Sequence, residues 1–204
     1  GHDSQIWSAE NLKTGTYDYT DVFMYIRPLI SGADVAIANL EVTLAGPPYK
    51  GYPQFSSPAA LAEACRNAGI DILATANNHA VDRGKEGIEG TINRLDSLGI
   101  PHTGTFLDKA SKESLDPLMI YRPGFSIALL NYTYGTNGLR VPDPLIVNMI
   151  DRNQIAADID KARKKSPDMI ILFLHWGNEY DTIPLKAQTE LADYIFSKGA
   201  GMVI

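Results

Sequence analysis

A series of apolar runs without polar alternation recurs along this 204-residue chain, separated by segments of helical periodicity. The runs are Asp34-Val-Ala-Ile-Ala-Asn39, Asp71-Ile-Leu-Ala-Thr-Ala76, Phe125-Ser-Ile-Ala-Leu-Leu130, Met169-Ile-Ile-Leu-Phe-Leu174 and the opening of another at Met202-Val-Ile204. A shorter one is expected at Pro101-His-Thr-Gly104. A strand with one wet face alternates apolar and polar residues, whereas these read as strands buried on both faces. Between them, helices are expected over 59–68, 85–98, 153–164 and 185–198. Ile88, Ile92, Leu95 and Leu98 recur at helical spacing before Gly99, as do Ile155, Ile159 and Ala162. Lys161, Arg163, Lys164 and Lys165 suit the negative end of the third helix dipole. Strands alternating with helices imply an α/β layered fold, and the length suits one domain over residues 1–204.

Residues 43–58, rich in Gly, Pro and Tyr, read as a long loop, and 107–123 and 131–150 as irregular. Long loops in a compact domain tend to carry function. The formal charge is −6 and the pI about 5.2, which argues against nucleic acid or an anionic membrane surface as a partner. A polyanionic substrate would need a local positive centre, and a bound metal ion supplies one. The single cysteine, Cys65, permits no internal disulfide and reads as a small buried hydrophobe. No run reaches the roughly 18 apolar residues of a membrane span. No targeting segment is recognisable, and both ends read as cut.

Three runs end in residues that bind metals or handle protons: Asn39-Leu-Glu41, Asn77-Asn-His79 and His175-Trp-Gly-Asn-Glu179. Ligands in open α/β sheets sit beyond the carboxyl ends of strands. Each residue alone has a plainer reading. Asn39 and Glu41 suit a solvated loop, Asn77 and Asn78 a turn, His79 a helix entry and His175 a packed core. Their joint placement at strand ends favours chemistry. Carboxylate, amide oxygen and imidazole suit Mn²⁺, Fe²⁺ or Zn²⁺, and two such ions about 3.5–4 Å apart clamp a phosphoryl group. Asp82, three residues after His79, either orients that imidazole or caps the helix beginning near Gly84.

At these residues the chain resembles the CapA-like capsule synthesis family, tied to poly-γ-glutamate production and related to calcineurin-like metallophosphoesterases. Asp34-Val-Ala-Ile-Ala-Asn-Leu-Glu41 looks like its "D…ANLE" motif and Ala76-Asn-Asn-His-Ala-Val-Asp-Arg-Gly84 like its "NNHxxDxG" motif. Tyr132-Thr-Tyr-Gly-Thr-Asn-Gly138 and His175-Trp-Gly-Asn-Glu-Tyr180 are similar to two more. The likeness runs from about residue 20 to the C-terminus. It implies a metallophosphoesterase-like sandwich of mixed β-sheets flanked by helices, truncated at both ends. It implies Asn78 and His175 as metal ligands, His79 as general acid or transition-state donor, and Asp82 as its support. Glu41 falls where the relatives carry a bridging aspartate, with Asn39 as the fallback ligand.

The resemblance also implies a Gly-Asp strand end before residue 1 and a histidine pair after residue 204. A chain of only this length is therefore expected to bind metal weakly or not at all. Tyr52, Gln54, Tyr134, Asn137 and Glu179 are the expected substrate contacts, although packing explains Tyr52 and Phe55 equally well. The implied enzyme is a metal-dependent hydrolase or transferase acting on an anionic polymer or a small phosphorylated substrate. It would work outside the cytoplasm at the cell envelope, membrane-anchored at full length and beside a membrane-bound capsule synthesis complex. The alternative is a non-catalytic polymer-binding or export module, which the glutamate at position 41 favours. An unrelated α/β hydrolase or lyase is opposed by the lack of a Gly-x-Ser-x-Gly elbow and of a Gly-rich dinucleotide loop.

Overall fold

The apolar runs become the strands of two facing sheets in the computed structural model, which describes residues 2–204. The chain opens with α1 (Asp3–Ala9), a short hairpin of β1 (Glu10–Asn11) and β2 (Thr16–Tyr17), a 3₁₀ turn at Thr20–Phe23 and α2 (Arg27–Ile30). A βαβαβ unit follows: β3 (Ile37–Asn39), α3 (Ala60–Ala68), β4 (Ile72–Ala74), α4 (Gly84–Ser97) and β5 (His102–Thr103). Its three strands are parallel, in the order β3-β4-β5. Next come β6 (Thr105–Phe106), α5 (Lys109–Leu115), β7 (Leu118–Arg122), β8 (Phe125–Thr133) and β9 (Ile146–Val147). The chain closes with α6 (Arg152–Arg163), β10 (Met169–His175), α7 (Lys186–Ser197) and β11 (Met202–Val203). The larger sheet has the order β11-β10-β8-β7, with β7 alone antiparallel.

The burial pattern explains why the runs do not alternate. On β8 and β10, Leu129 and Ile171 join Ile72 and Ile120 in a core shared by the two sheets. Their neighbours Leu130 and Leu172 face the other way, onto Ile155 and Ile159 of α6 and Ile195 of α7. On β4, Leu73 turns from the shared core to meet Ala62 and Cys65 of α3 and Leu95 of α4. The order of layers is therefore helices, sheet, sheet, helices, and both faces of the central strands are dry. Each fully buried Leu or Ile contributes roughly 1.5–3 kcal/mol.

The four expected helices are present within a residue or two of their sequence-read ends. Helix α3 stops at Gly69, whose φ of 104° lets Ile70 N–H return to the Cys65 carbonyl. A Cβ there would lie 2.8 Å from the Cα of Ser31, so the position is also sterically closed.

Two expectations are corrected. Residues 107–123 are not irregular: they hold α5 and β7. Asp108 caps α5, its carboxylate accepting Ser111 N–H at 2.7 Å while Ser111 Oγ accepts Asp108 N–H. Strand β7 has no clear alternation and is formed by pairing with β8, Ile120 opposite Ile127. Within 131–150, Ile146–Val147 pairs antiparallel with Thr105–Phe106. Among the described residues no helix is long and apolar enough to cross a membrane.

Candidate metal and acid–base site

The site forms where β3, β4 and β10 end. Glu41 follows β3, and its Oε1 lies 3.8 Å from Nε2 of His175, the last residue of β10. That separation exceeds a hydrogen bond. Burial pushes the His175 pKa down from 6.5; Glu41 opposes the shift and His79 adds to it. The imidazole is therefore neutral near neutral pH, the form that binds metals. The other Glu41 oxygen accepts the Asn39 amide at 2.9 Å, so Asn39 orients the carboxylate.

After β4 the chain turns through Asn77, Asn78 and His79. Asn77 is fully buried and its amide does two jobs. Oδ1 accepts His79 N–H at 3.0 Å, closing a tight turn. Nδ2 donates to the Leu40 carbonyl at 2.9 Å and to Asn39 Oδ1 at 3.1 Å. The tether draws the 39–41 and 77–79 segments together across 38 positions of sequence. Asn78 donates Nδ2 to Asn137 Oδ1 at 3.2 Å, while its own Oδ1 is buried with no hydrogen-bond partner among the described residues.

His79 Nδ1 sits 2.8 Å from Asp82 Oδ2, both residues buried. The same oxygen accepts Phe55 N–H at 2.6 Å. Asp82 is not the cap of α4: Arg83 holds that position, with no side-chain cap. A carboxylate only accepts, so Nδ1 carries the proton toward Asp82 and Nε2 is left as the exchangeable nitrogen. The Phe55 ring meets the His79 ring edge-on at 4.5 Å. Phe55 belongs to the 43–58 loop, whose Gly51 N–H is held by Asp3 Oδ1 at 2.7 Å.

The sequence-read residues divide into two groups. Glu41, Asn39, Asn78, His79, Asp82, His175 and Asn137 are joined by the contacts above. Tyr134 stacks on His175, ring centroids 6.0 Å apart and planes 15° apart, and donates its backbone N–H to the His175 carbonyl. Tyr52, Gln54 and Glu179 are exposed, and no hydrogen bond among the described residues ties their side chains to the group. The sequence reading does not single out Asn131, and it offers Phe55 as a loop aromatic for substrate or packing rather than as a partner of Asp82 and His79. An amide inside the apolar strand Ile127–Tyr132 was the available signal for Asn131, because buried amides need partners.

No cluster of three His, Cys, Asp or Glu gathers among the described residues. The donor set is mixed instead: a carboxylate, a neutral imidazole and an unpartnered buried amide oxygen. A buried acceptor without a donor costs roughly 1–3 kcal/mol, and a divalent cation would satisfy Asn78 Oδ1. The residues present fit such an ion.

The family described as "Bacterial capsule synthesis protein PGA_cap" matches residues 2–204. The chain is similar to "Capsule biosynthesis protein CapA" of Bacillus anthracis, 25% identical over 197 residues, covering 90% of this chain and 47% of the relative. It is also similar to "PGA biosynthesis protein CapA" of Bacillus subtilis (strain 168), 26% identical over 204 residues, covering 90% of this chain and 49% of the relative. The chain thus spans about half the length of the curated relatives it matches.

Proposed function

The chain belongs to the bacterial capsule synthesis family PGA_cap, and from that membership we propose that it carries the metal-assisted site of a hydrolase or transferase working in poly-γ-glutamate capsule synthesis. The observation that supports this most is the 3.8 Å approach of Glu41 to His175, with an oriented His79–Asp82 pair and the unpartnered Asn78 Oδ1 in the turn that Asn77 tethers to Asn39.

Glu41, Asn78 and His175 would hold one or two divalent cations, Mn²⁺, Fe²⁺ or Zn²⁺, with Asn39 steadying Glu41. When bound, such an ion supplies Lewis-acid charge and acidifies a water. His79 then moves a proton at Nε2, giving it to the leaving oxygen, while Asp82 holds Nδ1–H and stabilises the imidazolium. Tyr134, stacked on His175, and Asn137, bonded to Asn78, would contact an anionic polymer or a small phosphorylated group. The layering of facing sheets between helices supports a metallophosphoesterase-like architecture. Work outside the cytoplasm beside a membrane-bound capsule synthesis complex belongs to the same proposal.

The test uses the full-length protein and its His79→Ala variant. Metal content, hydrolysis of a model phosphodiester and turnover of poly-γ-glutamate are measured on both. General acid–base loss predicts a fall of about 10²–10⁴-fold in turnover with metal retained. Equal activity in the two proteins would end the catalytic reading. Saturable polymer binding without turnover would instead favour a binding or export module.

A further inference from the structure

We infer that Asn131 is a positioning residue: a single buried amide that sets the spacing between the Asn77–His79 loop and the His175 end of β10. Asn131 lies on β8 with no exposed surface. Its Oδ1 accepts Ala76 N–H at 2.7 Å, and its Nδ2 donates to the Phe173 carbonyl at 3.0 Å and, at 3.4 Å, to the Ala76 carbonyl. An N–H can only donate and a carbonyl can only accept, so the amide has one permitted orientation.

Ala76 immediately precedes Asn77, and Phe173 stands two residues before His175. The two segments belong to different sheets, which share no ladder hydrogen bonds. Beyond Thr75, whose N–H still reaches the Thr103 carbonyl, the chain leaves the β4 ladder. Asn131 replaces that lost ladder with a bond across the sheets. Gly104 makes room for it. A Cβ at Gly104 would lie 2.1 Å from Asn131 Oδ1 and 2.6 Å from Ala76 N. The side chains tied through this point are Asn77, which holds Asn39, and Glu41, which faces His175. A misplacement of about 1 Å between reacting groups can cost roughly 10²-fold.

The catalytic consequence rests on the metal-site reading above; the positioning itself does not. The test compares full-length wild type with N131D at a pH high enough to ionise the new carboxyl, which keeps the acceptor for Ala76 N–H but turns an acceptor toward two carbonyls. Y132F is the control. It sits on the same strand, and it loses the buried bond from Tyr132 to Asp158 instead. With ¹⁵N-histidine labelling at one fixed pH, N131D should move the ring resonances of both His79 and His175, assigned with H79Q and H175Q. Y132F should move neither. Mn²⁺ affinity by calorimetry should fall about 10–100-fold in N131D.

A folded N131D with both resonances superimposable on wild type overturns the inference. Should wild type not respond to Mn²⁺ while N131D still moves both rings, the positioning stands and the metal reading falls. If N131D does not fold, N131S is read in the same way. In wild type itself the Asn131 Nδ2 protons should exchange slowly. Exchange at the rate of an exposed asparagine overturns the inference without any variant.

Discussion

Replacing Asp116 by Asn should flatten part of the pH dependence of stability. Asp116 follows α5 and is 2% exposed. Burial pushes its carboxyl pKa from 3.8 up to about 6; the Asn148 amide opposes the shift, Asp158 adds to it, and Lys112 and Thr103 oppose it. Between those two values the folded protein keeps a proton that the unfolded chain has released. Stability from this group is therefore full below about pH 4 and lost as pH rises through about 6. A rise of about 2 pH units at roughly 1.4 kcal/mol each amounts to about 3 kcal/mol. Asparagine cannot ionise. Its Oδ1 can accept Asn148 Nδ2 and its amide can donate to the Thr103 hydroxyl, so both native contacts have a counterpart. Urea unfolding of the two proteins, followed through Trp7 and Trp176, gives the difference in stability at each pH. That difference should move in favour of D116N by about 3 kcal/mol between about pH 4 and pH 7, then level off. A difference that is flat, or that moves in favour of D116N as pH falls, refutes the reasoning.

Gly104→Ala should destabilise by about 1–3 kcal/mol or more, because φ is 112° and the new methyl meets Asn131 Oδ1 and the Ala76 backbone; chemical denaturation measures it. Leu172→Ala, at a fully buried position between β10 and the helices, should cost about 2–5 kcal/mol in the same assay. Mn²⁺ at about 100 times its Kd should stabilise the full-length protein by about 2.7 kcal/mol, and E41Q should abolish most of that thermal shift. An equal shift in E41Q would remove Glu41 from the ligand set.

Much of the fold is readable locally. Runs such as Met169–Leu174 must be strands dry on both faces, since no alternation offers a wet one, and α4 shows its buried stripe of Ile88, Ile92 and Leu95 in spacing alone. The gathering of Asn39, Glu41, Asn77–His79 and His175 at strand ends is legible for a related reason: parallel strands in one layered fold deliver their ends to one edge. The segments that escaped the reading are those without local pattern. Strand β7 exists because β8 accepts it, and Ile146–Val147 is a strand only opposite Thr105–Phe106.

The dry strands, the helices between them and the chemical types at the strand ends follow from periodicity and residue type, which act over a few positions. That Phe55 N–H shares Asp82 with His79 across 27 positions, and that Asn131 reaches Ala76 across 55 positions and Phe173 across 42, follows from three-dimensional packing alone. Those bonds depend on the distance between layers, and that distance is set by the whole packed core.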